Sequence, residues 1–146
     1  MTQMQKGPMQ SNMDMGELVD VEENHNALVV TPRFRRLDAT VAPAFRDHIE
    51  PLLHDRRLVV FALGSVRFMD SSGLGSLVSL LKLLPAGGVV RLAEVNTALK
   101  KLLTQTRLNN VLPVFPTVAL AVSGAFGEPG PADQAGSGRE RTATGS

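Results

Sequence analysis

The stretch Phe68-Met69-Asp70-Ser71-Ser72-Gly73-Leu74-Gly75 concentrates more chemistry than any other part of the chain. It offers one carboxylate, two adjacent hydroxyls and two glycines, directly after two large apolar side chains. The plainest use is structural: Asp or Ser at a helix start accepts a hydrogen bond from an orphan N–H, worth about 1 kcal/mol, and the glycines permit close packing. Capping alone leaves three features unexplained. One capping residue suffices where three are present, each first-turn glycine costs about 1 kcal/mol relative to Ala, and Phe68-Met69 puts bulk just ahead of a polar loop. A small, flat surface that must be closely approached accounts for all three.

Three chemistries suit such a surface. Phosphate binding by a dinucleotide fold needs a third glycine, and Val78 stands where it belongs. A serine nucleophile needs a Gly-x-Ser-x-Gly elbow and a base. Ser71 and Ser72 are not framed that way, and His25, His48 and His54 show no triad-like order; they read as turn and helix surface. The third possibility is a hydroxyl that serves as the substrate of a kinase, which requires only exposure and a helix-terminal position. Phosphate there adds about −1.5 to −2 charges.

Composition narrows the surroundings of this segment. A chain of 146 residues is one domain's worth. A net charge of +1 gives no broad field for polyanions, and six Phe without Trp or Tyr give no stacking platform, so no direct nucleic-acid contact is expected. The absence of Cys excludes a disulfide framework, a thiol nucleophile, a zinc knuckle and an iron–sulfur cluster. No metal, other cofactor or catalytic residue is expected. Met4, Met9, Met13 and Met15 have no His or Cys beside them and read as part of a flexible N-terminus rather than a copper site. With no signal-like core and no run of about 18 apolar residues, a soluble cytoplasmic protein without membrane contact is the expectation.

The elements that must position the segment follow from the apolar periods. Residues 1–15 and the Gly/Pro-rich 124–146 cannot bury enough apolar surface to offset their ordering entropy and are expected to be disordered tails around a domain at 16–123. Within it, Leu18 to Val21 and Ala27 to Thr31 read as a hairpin. Asp38 can cap a helix with Val41, Phe45, Ile49 and Leu52 or Leu53 inward, Pro43 and Pro51 placing its ends. Leu58 to Leu63 is a continuous apolar run, the mark of a strand buried on both faces. Leu74, Leu77, Val78, Leu81 and Leu84 then recur at helical spacing from a start at Asp70-Ser71-Ser72. A strand at Val89 to Leu92, a helix capped by Thr97 with Leu99, Leu102 and Leu103, a strand at Leu112 to Phe115 and a helix at Thr117 to Val122 complete a ββαβαβαβα order. That order implies an α/β fold with a mostly parallel sheet, whose sites lie at strand C-termini.

In this setting Phe68 to Gly75 strongly resembles the phosphorylation-site signature of the STAS-domain anti-sigma factor antagonists. The resemblance extends through Arg35-Arg36-Leu37-Asp38-Ala39, the strand entry Gly87 to Leu92 and the run Leu99 to Phe115, and so covers residues 16–123. It implies a single STAS domain, a mixed central sheet with a parallel portion flanked by about four helices. It also implies a non-enzymatic partner switch. The unphosphorylated antagonist binds an anti-sigma factor with serine kinase activity and frees a sigma factor; phosphorylation of Ser71 ends the contact, and a serine phosphatase restores it. By the same match Asp38, Asp70, Ser71, Ser72, Gly73, Leu74 and Gly75 form the partner-binding rim. The alternative is a structural STAS subunit of a larger assembly, such as a stress-signalling scaffold or a lipid-transport complex. Ahead of the Leu-Asp segment, where the family usually has a small Gly, this chain has Phe34-Arg35-Arg36; the basic group Arg33, Arg35 and Arg36 is either a solvated strand end or part of a partner-specific surface, and Arg67 is open to the same two readings.

Overall fold

A computed structural model of the chain describes residues 14–24 and 26–124. His25 and the expected tails, apart from residues 14, 15 and 124, lie outside the described residues. A one-turn helix α1 (Met15–Leu18) leads into the hairpin β1 (Val19–Asn24) and β2 (Ala27–Pro32). The short strand β3 (Arg36–Leu37) precedes helix α2 (Ala42–Ile49), which closes in a 3₁₀ turn at Glu50–Leu52. Then come β4 (Leu58–Ala62), the short strand β5 (Phe68–Met69), α3 (Ser71–Lys82), β6 (Val89–Ala93), α4 (Thr97–Gln105), β7 (Val114–Phe115) and α5 (Val118–Ser123).

The main sheet has the order β1-β2-β4-β6-β7. Only β1 and β2 are antiparallel; β2, β4, β6 and β7 run parallel, joined by crossovers through α2, α3 and α4. This is the mixed α/β sheet expected from the alternation of strand and helix patterns. All five residues of β4 are buried, because helices cover both faces of a parallel sheet. Leu28, Val30, Val59, Phe61, Val90 and Leu92 join the core with Phe45 and Ile49 of α2, Leu74, Leu77 and Leu80 of α3, and Leu99 and Leu103 of α4. The alternate residues Ala27, Val29, Leu58, Val60 and Ala93 pack with Phe115 and with Ala121 of α5. Arg91 stands on this second face at 1% exposure, its Nη1 donating to the carbonyls of Ala121 (2.9 Å) and Gly124 (2.7 Å).

Several boundaries differ from the sequence expectation. Met15 is not tail: Asp14 caps α1 through the Gly16 N–H, and the Met15 side chain is buried in the core. Thr97 is the first residue of α4, and its neighbour Asn96 is the cap, accepting from Leu99 N–H at 2.8 Å. Leu112 and Pro113 stay out of the strand register; Pro113 has no N–H to donate to the ladder and contributes only its carbonyl, which accepts from Leu92 N–H. Along α3 the most deeply buried residues are Leu74, Leu77 and Leu80, with Val78, Leu81 and Leu84 half-buried beside them.

Candidate functional site

Two short triplets build the site: Arg36-Leu37-Asp38 and Phe68-Met69-Asp70. β3 and β5 pair in parallel with Arg36 opposite Phe68 and Leu37 opposite Met69, a two-stranded ribbon separate from the main sheet. The alternation of strand side chains sends Leu37 and Met69 into the core and leaves Arg36 and Phe68 exposed. Each triplet ends in an aspartate that organises the turn after it. A two-residue strand has no period of its own, so the ribbon was not among the expected elements. The signal that could have found it is the repeated order of outer residue, apolar residue, Asp ahead of a helix.

Asp70 has extended backbone geometry and caps α3, its Oδ1 accepting from Gly73 N–H at 3.0 Å. Its Oδ2 accepts from Ala39 N–H at 3.2 Å, which fastens the turn after β3 to the start of α3. Asp38 is not the N-cap of α2. The helix begins at Ala42 with Pro43 in its first positions and no side-chain cap, and Asp38 lies too far upstream. Its carboxylate instead accepts from Thr40 N–H at 3.1 Å and from Arg36 Nε at 3.2 Å, while its carbonyl takes the Val41 and Ala42 N–H groups. Burial works to raise the Asp38 carboxyl, but the Arg36 hydrogen bond, the backbone N–H groups of Thr40 and Val41 and the Arg36 charge outweigh it. They hold Asp38 below the ordinary carboxylate range.

Because Asp70 does the capping, the two hydroxyls after it have no such duty. Ser71 and Ser72 are exposed, and among the described residues neither side chain makes a hydrogen bond. Gly75 is also exposed, and Asp38 and Asp70 are half-buried, so these five of the expected residues share one surface. Gly73 and Leu74 are buried and shape that surface from beneath. A Cβ on Gly73 would stand 2.0 Å from the Leu37 carbonyl oxygen, so only glycine lets α3 approach the ribbon this closely. A Cβ on Gly75 would meet nothing within 4 Å. Ser72, Gly75 and Ser79 face Ala42, Pro43 and Arg46 of α2 across an open groove of about 420 Å³.

The arginines divide. Arg33 pairs with Asp20 at 3.3 Å and donates to the Glu17 carbonyl, away from this surface. Arg36 belongs to it, with its Cζ 4.3 Å from the centre of the Phe68 ring. Arg35 and Arg67 are exposed beside it, Arg67 N–H donating to the Arg35 carbonyl at 2.7 Å. His48 is half-buried on α2 and His54 is exposed after it. Among the described residues no cluster of three or more His, Asp or Glu is arranged to hold a metal, and no helix is long and apolar enough to cross a membrane.

Comparison with known proteins places this geometry. An anti-sigma-B factor antagonist of Bacillus subtilis (strain 168) is 30% identical over 97 residues, which span 66% of this chain and 88% of that protein. Among solved structures, an anti-sigma-factor antagonist (STAS) domain protein from Planctomyces limnophilus is similar with a TM-score of 0.66 at 24% identity, covering 71% of this chain and 93% of that one. The Bacillus cell fate determinant SpoIIAA in its phosphorylated form is similar with a TM-score of 0.55 at 20% identity, covering 71% and 96%. The model of the STAS domain matches residues 19–121, from the first strand of the sheet into the last helix and through both aspartate turns. The chain therefore belongs to the STAS domain family.

Proposed function

We propose that this chain is an anti-sigma factor antagonist that acts by binding rather than by catalysis. In its unphosphorylated form it binds an anti-sigma factor that is also a serine kinase, and so releases a sigma factor. Phosphorylation of Ser71 ends that binding, and a serine phosphatase restores it. The observation that carries this reading is the division of labour at the start of α3: Asp70 caps the helix, and the Ser71 hydroxyl beside it is exposed and uncommitted. A serine needed for the fold would be engaged in it. The antagonist relative and the phosphorylated SpoIIAA structure support the same reading. Work on a sigma factor's inhibitor would take place in the cytoplasm.

The chemistry asks little of this chain. The Ser71 oxygen attacks the terminal phosphorus of the kinase's ATP; the O–P bond forms as the bond to ADP breaks, and the hydroxyl proton leaves to a base on the kinase side. The product is close to a dianion. At the start of α3 the macrodipole favours an anion by about 0.3 to 1 kcal/mol, while Asp70 and Asp38 oppose it. Those small opposing effects leave a domain with a stability of about 5 to 15 kcal/mol folded. At a partner interface the dianion must be desolvated against a close-fitting surface, a cost of several kcal/mol, so binding is lost while the fold is kept.

Incubating the protein with its anti-sigma factor kinase and ATP, followed by peptide mapping, tests the assignment. Phosphate is expected on Ser71 and absent from Ser71→Ala. Wild-type labelling of Ser71→Ala, with Ser72 modified instead, would overturn it.

A further inference from the structure

We propose that Arg36 reads the phosphorylation state of Ser71, leaving Asp38 to pair with the phosphate once it is installed. The inference rests on Ser71 being the phosphoacceptor and adds the group that responds to it. Arg36 is held from two sides: its Nε donates to Asp38 Oδ2 at 3.2 Å, and its guanidinium lies over the exposed Phe68 ring with Cζ 4.3 Å from the centroid. The bond to Asp38 uses one of the five guanidinium N–H groups. The terminal N–H groups make no other hydrogen bond among the described residues, and the side chain is 62% exposed. A flat cation seated on a ring, with its fork free, suits bidentate recognition of phosphate.

The ribbon register brings this fork to the right place. Arg36 stands opposite Phe68 and Leu37 opposite Met69, and the bond from Ala39 N–H to Asp70 Oδ2 continues the alignment past the strand ends. Asp38 therefore lies beside Asp70, with Ser71 the next residue. Neighbouring strands are about 4.8 Å apart and successive Cα atoms about 3.8 Å, so the backbones of Asp38 and Ser71 are within roughly 9 Å. An arginine anchored at Asp38 and a phosphoserine close that gap between them.

The charges around the phosphate are mixed. Asp38 and Asp70 repel it, Arg35 and Arg67 sit at the outer end of the ribbon, and across the groove Arg46 of α2 is engaged with Asp47 at 3.8 Å and Glu50 at 3.5 Å. Arg36 is the cation held at Asp38, the residue that the ribbon sets beside Asp70, and a phosphate dianion competes with the single charge of Asp38 for it. Phosphorylation then alters the partner surface twice: it adds negative charge at Ser71 and dissolves the Arg36–Asp38 pair that a partner meets in the unmodified protein. The exposure of Phe68, 41% for a large apolar side chain, gains a purpose as the seat of the guanidinium.

The test uses the full chain with phosphoserine installed at position 71 during synthesis, and follows the second ionisation of the phosphate by ³¹P NMR titration. Arg36 favours the dianion, so Arg36→Gln should raise that pKa by roughly 0.2 to 0.7 of a unit, the span of an exposed ion pair. Arg33→Gln removes an equal charge from the residue just after β2, where Arg33 is turned to Asp20 of β1 and the Glu17 carbonyl, and should leave the titration unchanged. Equal shifts in the two variants, or no shift in Arg36→Gln, would overturn the proposal. Because no kinase is involved, the outcome is separate from the labelling experiment: failure to label Ser71 refutes the functional reading, whereas an unmoved titration refutes the role of Arg36 alone.

Discussion

Two glycines two positions apart at the start of α3 should respond in opposite directions to the same substitution. In Gly73→Ala the new Cβ stands 2.0 Å from the Leu37 carbonyl oxygen, 2.9 Å from its carbon and 2.8 Å from Met69 Cγ. Met69 is flexible, but the Leu37 carbonyl is backbone, so β3 and α3 must separate by more than 1 Å. Overpacking typically costs about 1 to 3 kcal/mol, and a backbone clash belongs at the top of that range or above it. Ala returns about 1 kcal/mol of helix propensity. The net loss is about 2 kcal/mol or more, or a melting temperature lower by roughly 8 °C or more. In Gly75→Ala the Cβ enters open space, so the propensity gain stands alone and the domain gains up to about 1 kcal/mol. Urea unfolding of both variants beside wild type gives the two differences directly. The reasoning fails if Gly73→Ala is as stable as wild type, or if Gly75→Ala loses as much as Gly73→Ala.

Three further perturbations have defined outcomes. Ser71→Asp should change stability by no more than about 1 kcal/mol in thermal unfolding, yet bind the anti-sigma factor at least about a hundredfold more weakly by calorimetry; Ser71→Ala should bind even after treatment with kinase and ATP. Arg91→Met keeps the bulk but strands the Ala121 and Gly124 carbonyls and removes the cation 5.2 Å from the Phe115 ring centre. A loss of about 3 kcal/mol is expected, with amide exchange rising in α5 before α3. Asp38 ionises more readily folded than unfolded, so between the two pKa values the unfolded chain binds more protons and stability rises with pH. Its contribution is full at neutral pH and disappears as the pH falls through the folded pKa, so Asp38→Asn should narrow the gap between unfolding at pH 7 and at about pH 3.

The parts of this architecture that are long or periodic were legible in the residue pattern. The run Leu58 to Leu63 announced β4 because a strand covered on both faces has no polar side to alternate. Asp70 before Ser71 marked the start of α3 because capping types cluster where backbone N–H groups lack partners. The ribbon escaped because two residues carry no period, and it exists through pairing between segments about 30 residues apart. Asn96 and Thr97 are both capping types in adjacent positions, and only the backbone geometry chooses Asn96. The site followed the same division. Ser71, Ser72 and Asp70 stood out by type and order, whereas Arg36 and Phe68 acquire their place from the register that sets them face to face. Arg91 carried a sign that was not used: a charge inside an otherwise apolar parallel strand must find partners, and it finds them at the end of α5.

The Asp70 carboxylate, shared between Gly73 N–H and Ala39 N–H, makes two distant segments of chain into one surface. An unfolded chain contains the same residues in the same order but not that surface. A partner that reads both aspartate turns therefore has affinity for the native state alone, and by mass action it becomes a folding ligand. At a free partner concentration 100 times the dissociation constant, the bound domain gains about 2.7 kcal/mol against unfolding. Release from the partner withdraws that protection, so the turnover of this protein in a cell should follow its occupancy, with the freed form the first to meet proteases.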